Sequence, residues 1–377
     1  MAIYYFIICS LTGLGFFMTE KQNKARMTRC YLAIAFVSLT LLASLRYAIG
    51  FDYFSYRNIF EMTAGWSFGN IFSSYCRSEP LFFVLCKCFQ LAGLPFQMLL
   101  AAVSAFLVFM IVWMVLRFSA IPWMSIFLYI TLQFFAYHMN LMRQSIALCF
   151  FLLAWPYWKK RRFLPWAALL FIGGLFHNSL WLICPLFILL PKKLTRRSVG
   201  CLAALTICGY LLFDPLFLLV RPLLPEKYAI YDTTFFWHSN DWEYLVLPAL
   251  YYLLIYLFRS RIRDEYQRTV YVNSAFYYVL FSLFITKHFI LERFAIYPFV
   301  FALFAIPDIL ASYRPKDGET LHSTRRYYCM MALFVAFGAA FFLFSAAKGF
   351  HNVYPYVSLL DRSRSVPAAA VWIYPQA

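Results

Sequence analysis

The sequence predicts an all-α, polytopic membrane helix bundle with about 10 full spans plus short re-entrant or interfacial helices. Three observations carry this expectation. Of the 377 residues, 63% are hydrophobic and 13% charged, and the mean hydropathy is +0.69. Apolar runs recur roughly every 20 to 35 residues, and a run of about 20 suffices to cross a bilayer. Most lysines and arginines fall in short loops between those runs, so the formal net charge of +17 reads as membrane topology. That composition excludes a soluble globular domain, and nucleic acid is not an expected partner.

The first run, 2–18, lacks a basic leading region and a small-residue cleavage site, so it reads as a retained helix. Further spans are expected at 30–45, 96–116, 123–139, 143–158, 199–220, 244–258, 270–286, 294–311 and 327–347. The basic loops are Lys21/Lys24/Arg26, Lys159–Arg162, Lys192–Arg197, Arg259–Arg268 and Arg314–Arg326. With all of them in the cytoplasm, the chain alternates consistently from residue 143 onward. Loops 46–78 and 221–243 and the tail 348–377 then face outward.

Two stretches do not fit single crossings. Segment 163–190 has cytoplasmic flanks at both ends, so it must enter and return. Each arm has about 14 residues, roughly 21 Å of helix, against a hydrocarbon core of about 30 Å. His177 then sits at the tip of a short hairpin near the outer interface. Segment 79–93 is too short for a crossing and carries Lys87 in its middle, which favours partial insertion or an interfacial helix. Ten cysteines lie mostly inside apolar segments, as at Cys149, Cys184, Cys201, Cys208 and Cys329, and read as small buried hydrophobes. Cys86-Lys87-Cys88 has neither zinc nor redox spacing. No linker and no internal repeat is read, so residues 1–377 are expected to form a single transmembrane domain.

The residues able to do chemistry collect at outward helix ends. Arg46 closes a helix, Gly50 permits a turn, and Asp52 follows it within Gly50-Phe51-Asp52-Tyr53. Glu79-Pro80 opens an apolar segment, where helix capping is an equal alternative to a functional acid. In Asn140-Leu141-Met142-Arg143-Gln144, Asn140 can act as N-cap and place Arg143 in the first turn. An arginine there opposes the helix dipole, yet free N–H groups beside a guanidinium suit a phosphate or diphosphate. The alternative is an arginine snorkelling to lipid headgroups. His177 in an apolar run is either a hydrogen-bonded structural residue or a functional one, because intramembrane ionisable groups are expensive. Glu292-Arg293 is a further charged pair at a helix start, with a structural salt bridge as the competing reading. Loop 221–243, with Lys227, Tyr228, Tyr231, Phe235, Phe236, Trp237, Asp241 and Trp242, offers aromatic faces and carboxylates that suit sugar rings or a membrane interface.

These residues resemble the EpsG family of exopolysaccharide polymerase-like membrane proteins, related to the O-antigen polymerases. The resemblance covers most of the chain. It rests on Arg46, Gly50-Phe51-Asp52-Tyr53 with Tyr56, Glu79-Pro80, Asn140-Leu141-Met142-Arg143-Gln144 with Ala147, Phe176-His177-Asn178-Ser179, Lys227-Tyr228 with Tyr231, and Arg293 with Tyr297. Gly-Phe-Asp-Tyr departs from the Gly-Thr-Asp-Tyr associated with the family, a change that leaves Asp52 and Tyr53 in place. The resemblance implies polymerisation of polyprenyl-diphosphate-linked oligosaccharide repeats at the outer face of a bacterial cytoplasmic membrane. A chain-length regulator and a flippase of the same pathway are implied partners besides membrane lipid. No cofactor is implied, because the donor is already activated.

Such a reaction needs a base for the acceptor hydroxyl and positive charge on the leaving diphosphate. The expectation is that Arg143, Arg46 and Arg293 hold the diphosphate, with Tyr53, Tyr56, Gln144, Lys227, Tyr228 and Tyr231 completing the substrate contacts. Asp52, Glu79 and His177 are the candidate bases. An arginine lowers the pKa of a neighbouring carboxylate, which favours His177 as base and Asp52 as the group orienting the acceptor. The competing functions are a polyprenyl-phosphate-dependent glycosyltransferase adding single sugars, then a non-enzymatic lipid-linked oligosaccharide flippase, then an O-acyltransferase.

Overall fold

The computed structural model describes residues 1–21, 25–73, 78–223, 237, 241–315 and 321–360. Nineteen α-helices occur among them, and no strand; the only β-type pairings are isolated bridges between Arg46 and Ser358 and between Trp237 and His288. Helices α1 (Ala2–Gly15), which runs on into a π-helical turn at Phe16–Lys21, and α2 (Ala25–Ser44) open the chain. The segment expected as an outward loop holds two helices, α3 (Tyr53–Met62) and α4 (Phe68–Ser73), which precede α5 (Pro80–Leu91). Then come α6 (Phe96–Phe118), α7 (Pro122–Thr131), α8 (Phe134–Asn140), α9 (Met142–Lys159), α10 (Phe163–Phe176), α11 (Ser179–Ile183) and α12 (Leu186–Leu189). The remainder is α13 (Arg196–Leu211), α14 (Phe213–Val220), α15 (Glu243–Phe258), α16 (Glu265–Ile285), α17 (Glu292–Phe299), α18 (Ala302–Ala311) and α19 (Leu321–Ala347).

Among the described residues, five helical stretches are long and apolar enough to cross a membrane: Ala2–Glu20, Ala25–Ser44, Phe96–Phe118, Phe289–Ala311 and Leu321–Ala347. A sixth results if α13 and the stretch Phe213–Leu223, bent by 67° against each other, count as one. The expectation of about ten full spans is thus not met among the described residues, for physical reasons visible in each missing helix. The run 123–139 breaks at Gln133, whose φ is +70°, into two short helices. The run 244–258 yields 16 residues in α15. Helices α9 and α16 have the length but open on polar turns, Arg143-Gln144 and Glu265-Tyr266-Gln267-Arg268. Segment 79–93 becomes the 12-residue α5, about 18 Å long, which fits partial insertion.

The chain forms two compact units, Met1–Leu180 with Ile306–Ala377, and Trp181–Ala305. In the first, α7, α8 and the start of α9 are buried almost residue for residue and form the core. Helices α1 and α19 pack on α7, α2 on α6, and α10 on α9. Three of these contacts need glycine, at Gly15 against Trp123 of α7, at Gly338 and at Gly173, as close helix approach in membranes commonly does. A Cβ on Gly338 would meet Phe127 at 2.6 Å, and one on Gly173 would meet Phe150 and Leu180 at 2.6 Å. The outer faces are apolar rather than polar: Phe6, Leu41 and Leu164 are all exposed, the inverse of a water-soluble surface. Under α3, a cluster of Tyr53, Tyr56, Phe60, Phe82, Cys86, Leu99 and Leu100 seats the α3–α5 cap on α6 and α9.

In the second unit α16 packs against α15, α17 and α13. Asn273 donates to the carbonyls of Leu190 and Lys192, each at 2.8 Å, and Lys193 pairs with Glu265 at 2.6 Å. These contacts hold the basic segments 192–197 and 259–268 at one end of that unit.

Candidate functional site

Three helix ends of the first unit meet at one carboxylate. Glu79 occupies the position before α5, with Pro80 as the first helical residue, but its side chain caps nothing. The capping alternative therefore fails, and the carboxylate is used elsewhere. Its Oε2 accepts from Arg143 Nη1 at 3.0 Å. Its Oε1 accepts from the Asn178 backbone N–H at 2.7 Å and lies 3.2 Å from His177 Nδ1. Arg143 is the second residue of α9, where the sequence placed it, and its own backbone N–H reaches the Tyr56 hydroxyl at 3.4 Å. His177 sits in extended backbone between α10 and α11. All three side chains are largely but not fully buried, at 15% exposure for Glu79, 23% for Arg143 and 12% for His177.

The electrostatics of this cluster follow from its partners. Burial is the largest influence on Glu79 and opposes its ionisation. The hydrogen bond from His177, the Arg143 charge and the Asn178 N–H together outweigh it and hold the carboxyl well below the usual carboxylate range. An ionised carboxylate oxygen 3.2 Å from a nitrogen lone pair would be repelled, so Nδ1 of His177 carries a proton toward Glu79. The Ser179 N–H also approaches Nδ1, at 3.3 Å; it has the weaker claim on that nitrogen because it brings no charge.

A second cluster gathers the start of α3, the end of α8 and the turn after α19. Gly50 adopts a φ of +94°, and a Cβ there would stand 3.0 Å from Asn140 Oδ1, so the turn needs glycine. Asn140 is not the N-cap of α9. It closes α8, Leu141 occupies the cap position without a side-chain bond, and the Asn140 amide turns inward. Its Oδ1 accepts from the Asp52 backbone N–H at 3.0 Å, and its Nδ2 lies 2.7 Å from His351 Nδ1. Gly50 and Phe51 donate to the carbonyls of Asn352 and His351 at 3.0 and 3.3 Å. The segment after α19, expected as an outward tail, folds back onto the loop after α2. Tyr47 donates to Val357 at 3.0 Å, Leu359 to Leu45 at 2.8 Å, and the Tyr4 hydroxyl to Val353 at 2.9 Å.

Arg46 is 1% exposed. Its guanidinium donates to the Ala43 carbonyl, to Ser104 Oγ at 3.0 Å and to Met142 Sδ at 3.5 Å. Burial pulls its pKa down to about 10, so it stays cationic at neutral pH, with Tyr53, Tyr356, Tyr4 and Tyr56 around it. Tyr53 and Gln144 are buried as well. Arg293 belongs to the second unit, where Glu292-Arg293 opens α17. Lys227, Tyr228 and Tyr231 lie outside the described residues. No group of three or more His, Cys, Asp or Glu side chains among the described residues is arranged to hold a metal ion.

Sequence reasoning missed His351 altogether. A signal was present: the tripeptide Phe-His-Asn occurs at 176–178 and again at 350–352, each time after an apolar helix. In comparisons with known proteins, the model of the EpsG family matches residues 29–358. No curated protein and no solved structure matches.

Proposed function

The chain belongs to the EpsG family, which points to exopolysaccharide biosynthesis, and on that premise we propose that it joins polyprenyl-diphosphate-linked oligosaccharide repeats at the outer face of the cytoplasmic membrane. The observation that carries the reading is Glu79, one carboxylate engaged by both Arg143 and His177. Arg143 and the first-turn N–H groups of α9 bind the diphosphate of the donor. The incoming diphosphate competes with Glu79 for the guanidinium and leaves Glu79 to His177. The acceptor hydroxyl gives its proton to His177 Nε2 while its oxygen attacks the anomeric carbon. A C–O bond forms there, the C–O bond to the diphosphate breaks, and polyprenyl diphosphate departs. Glu79 keeps the imidazole in the tautomer with its lone pair on Nε2 and stabilises the imidazolium that forms.

Glu79 itself stays ionised at neutral pH and is a poor base, so it orients while His177 accepts the proton. Asp52, at the start of α3, orients the acceptor. Arg46, buried beneath Tyr53 and Tyr56, supplies positive potential from behind.

The test uses purified protein in lipid with one lipid-linked repeat unit and no nucleotide sugar. A product ladder spaced by whole repeats is expected. Arg143→Ala should lower that product by about a hundredfold or more with normal protein in the membrane, and an undiminished ladder in that variant would remove Arg143 from the mechanism. Single-sugar addition only when a polyprenyl-phosphate sugar is supplied would replace polymerisation with simple glycosyl transfer.

A further inference from the structure

The reaction just described leaves unexplained how Asp52 is held. Its carboxylate makes no cap bond to α3, and its backbone is tied to a buried side chain. The Asp52 N–H needs an acceptor and finds Asn140 Oδ1 at 3.0 Å. This fixes the orientation of the Asn140 amide, so Nδ2 is the atom that faces His351 Nδ1 at 2.7 Å. An amide NH2 only donates, so His351 accepts at Nδ1 and carries its proton on Nε2. Both side chains are buried, at 2% exposure for Asn140 and 3% for His351, where an unmade hydrogen bond is costly.

The backbone adds a second, independent observation. His351 and Asn352 each adopt a φ of +54°, a left-handed conformation that is unfavourable for most residues with a side chain. Such strain persists only where surrounding contacts impose it. Here the two strained residues are those whose carbonyls receive the Phe51 and Gly50 N–H groups. The Tyr137 ring meets the His351 ring edge-on at 4.9 Å and closes the other side.

We propose that His351 is a positioning residue of the site, acting through Asn140 to hold Asp52 at the entrance of α3. This rests on the reading that Asp52 orients the acceptor. The strap formed by residues 349–360 is then part of the reaction machinery and more than a closure of the bundle end.

The experiment compares polymer formed per unit of membrane-inserted protein, using the host's own lipid-linked repeat units, in cells where this chain is the sole polymerase. Asn presents its oxygen where a histidine presents Nδ1, whereas Gln carries its amide one bond further out. His351→Asn should therefore retain most of the polymer, and His351→Gln should lose roughly tenfold to a hundredfold at equal protein abundance. Asp52→Asn should fall similarly. Combining it with His351→Gln should cost no more than Asp52→Asn alone, because the two act in series. Multiplying losses in the double variant, or equal behaviour of the Asn and Gln variants, would overturn the positioning role. Arg143→Ala in the same cells separates the two readings. A loss there with multiplying His351 and Asp52 effects overturns this inference alone, whereas undiminished polymer there overturns the proposed reaction.

Discussion

The same three residues, Phe-His-Asn, occur twice in the first unit, once at the end of α10 and once in the 3-10 turn that follows α19, and the two copies meet opposite partners. At 176–178 the histidine Nδ1 meets the ionised carboxylate of Glu79 at 3.2 Å, and the asparagine contributes its backbone N–H to the same carboxylate. At 350–352 the histidine Nδ1 meets the amide of Asn140 at 2.7 Å, and the pair contributes backbone carbonyls. The carboxylate partner puts a proton on Nδ1, and the amide donor puts the lone pair there. On the proposed reading, the first histidine accepts a proton and the second holds an amide. Identity of the residue does not assign its role; the partner on Nδ1 does.

The largest expected effect that tests this contrast is the response to one substitution made at both positions. His177→Asn removes the proton acceptor and should reduce polymer by about a hundredfold or more, whereas His351→Asn keeps the needed acceptor. Polymer yields that fall together, or survive together, would end the distinction between the two turns.

Next in size is Glu79→Gln, which leaves Arg143 without its counter-charge and His177 without the group that sets its tautomer. Polymer should fall about tenfold or more, and stability by roughly 2–3 kcal/mol. The pH dependence has a definite sign. The folded-state carboxyl of Glu79 lies below its ordinary value of 4.5, so its stabilising contribution is fully present above that value and is lost as pH falls toward the lowered one. The difference in Tm between the native protein and Glu79→Gln should thus hold constant from pH 7 to about 5 and shrink below about 4.5. A difference that already shrinks between pH 7 and 6 would show that Glu79 is not the ionised partner.

The smallest effect on chemistry is expected at a second Arg–Glu pair in the same unit. Glu20 Oε1 accepts from Arg314 Nη2 at 2.6 Å and from Trp123 Nε1 at 3.1 Å, with the Tyr327 hydroxyl beside them. No histidine accompanies this carboxylate. Its neighbours anchor helices and do not exchange protons near neutral pH. Glu20→Gln should lower stability by roughly 1–2 kcal/mol, discounted for the part-exposed Arg314, and leave polymer per folded protein unchanged. A polymer loss equal to that of Glu79→Gln would mean that any Arg–Glu pair in this bundle matters equally, and that His177 adds nothing.

The sequence made parts of this legible and concealed others, and the division follows the range of the interactions. The apolar runs, the basic loops between them and the placement of Arg143 in a first helical turn depend on residues a few positions apart, and each was readable. Glu79, His177 and Arg143 were readable as candidates because charge in an apolar chain is conspicuous. The break at Gln133 was not, since nothing local marks a glutamine for left-handed backbone, and it divided an expected span in two. The inward turn of Asn140 was hidden because a good capping residue preceding a helix looks the same whether or not it caps.

By itself, then, the sequence determined that this is a helical membrane protein of the EpsG family with its candidate site residues at helix ends. Composition and short spacing carry that much, because the cost of burying charge in lipid acts residue by residue. Only the tertiary structure decided which carboxylate meets which cation and what each histidine does. Glu79 and Arg143 are 64 residues apart in the chain, Glu79 and Asn178 are 99 apart, and Asn140 and His351 are 211 apart. A hydrogen bond is felt over about 3 Å, so its partner is chosen by packing in space, and no local pattern in the chain records that choice.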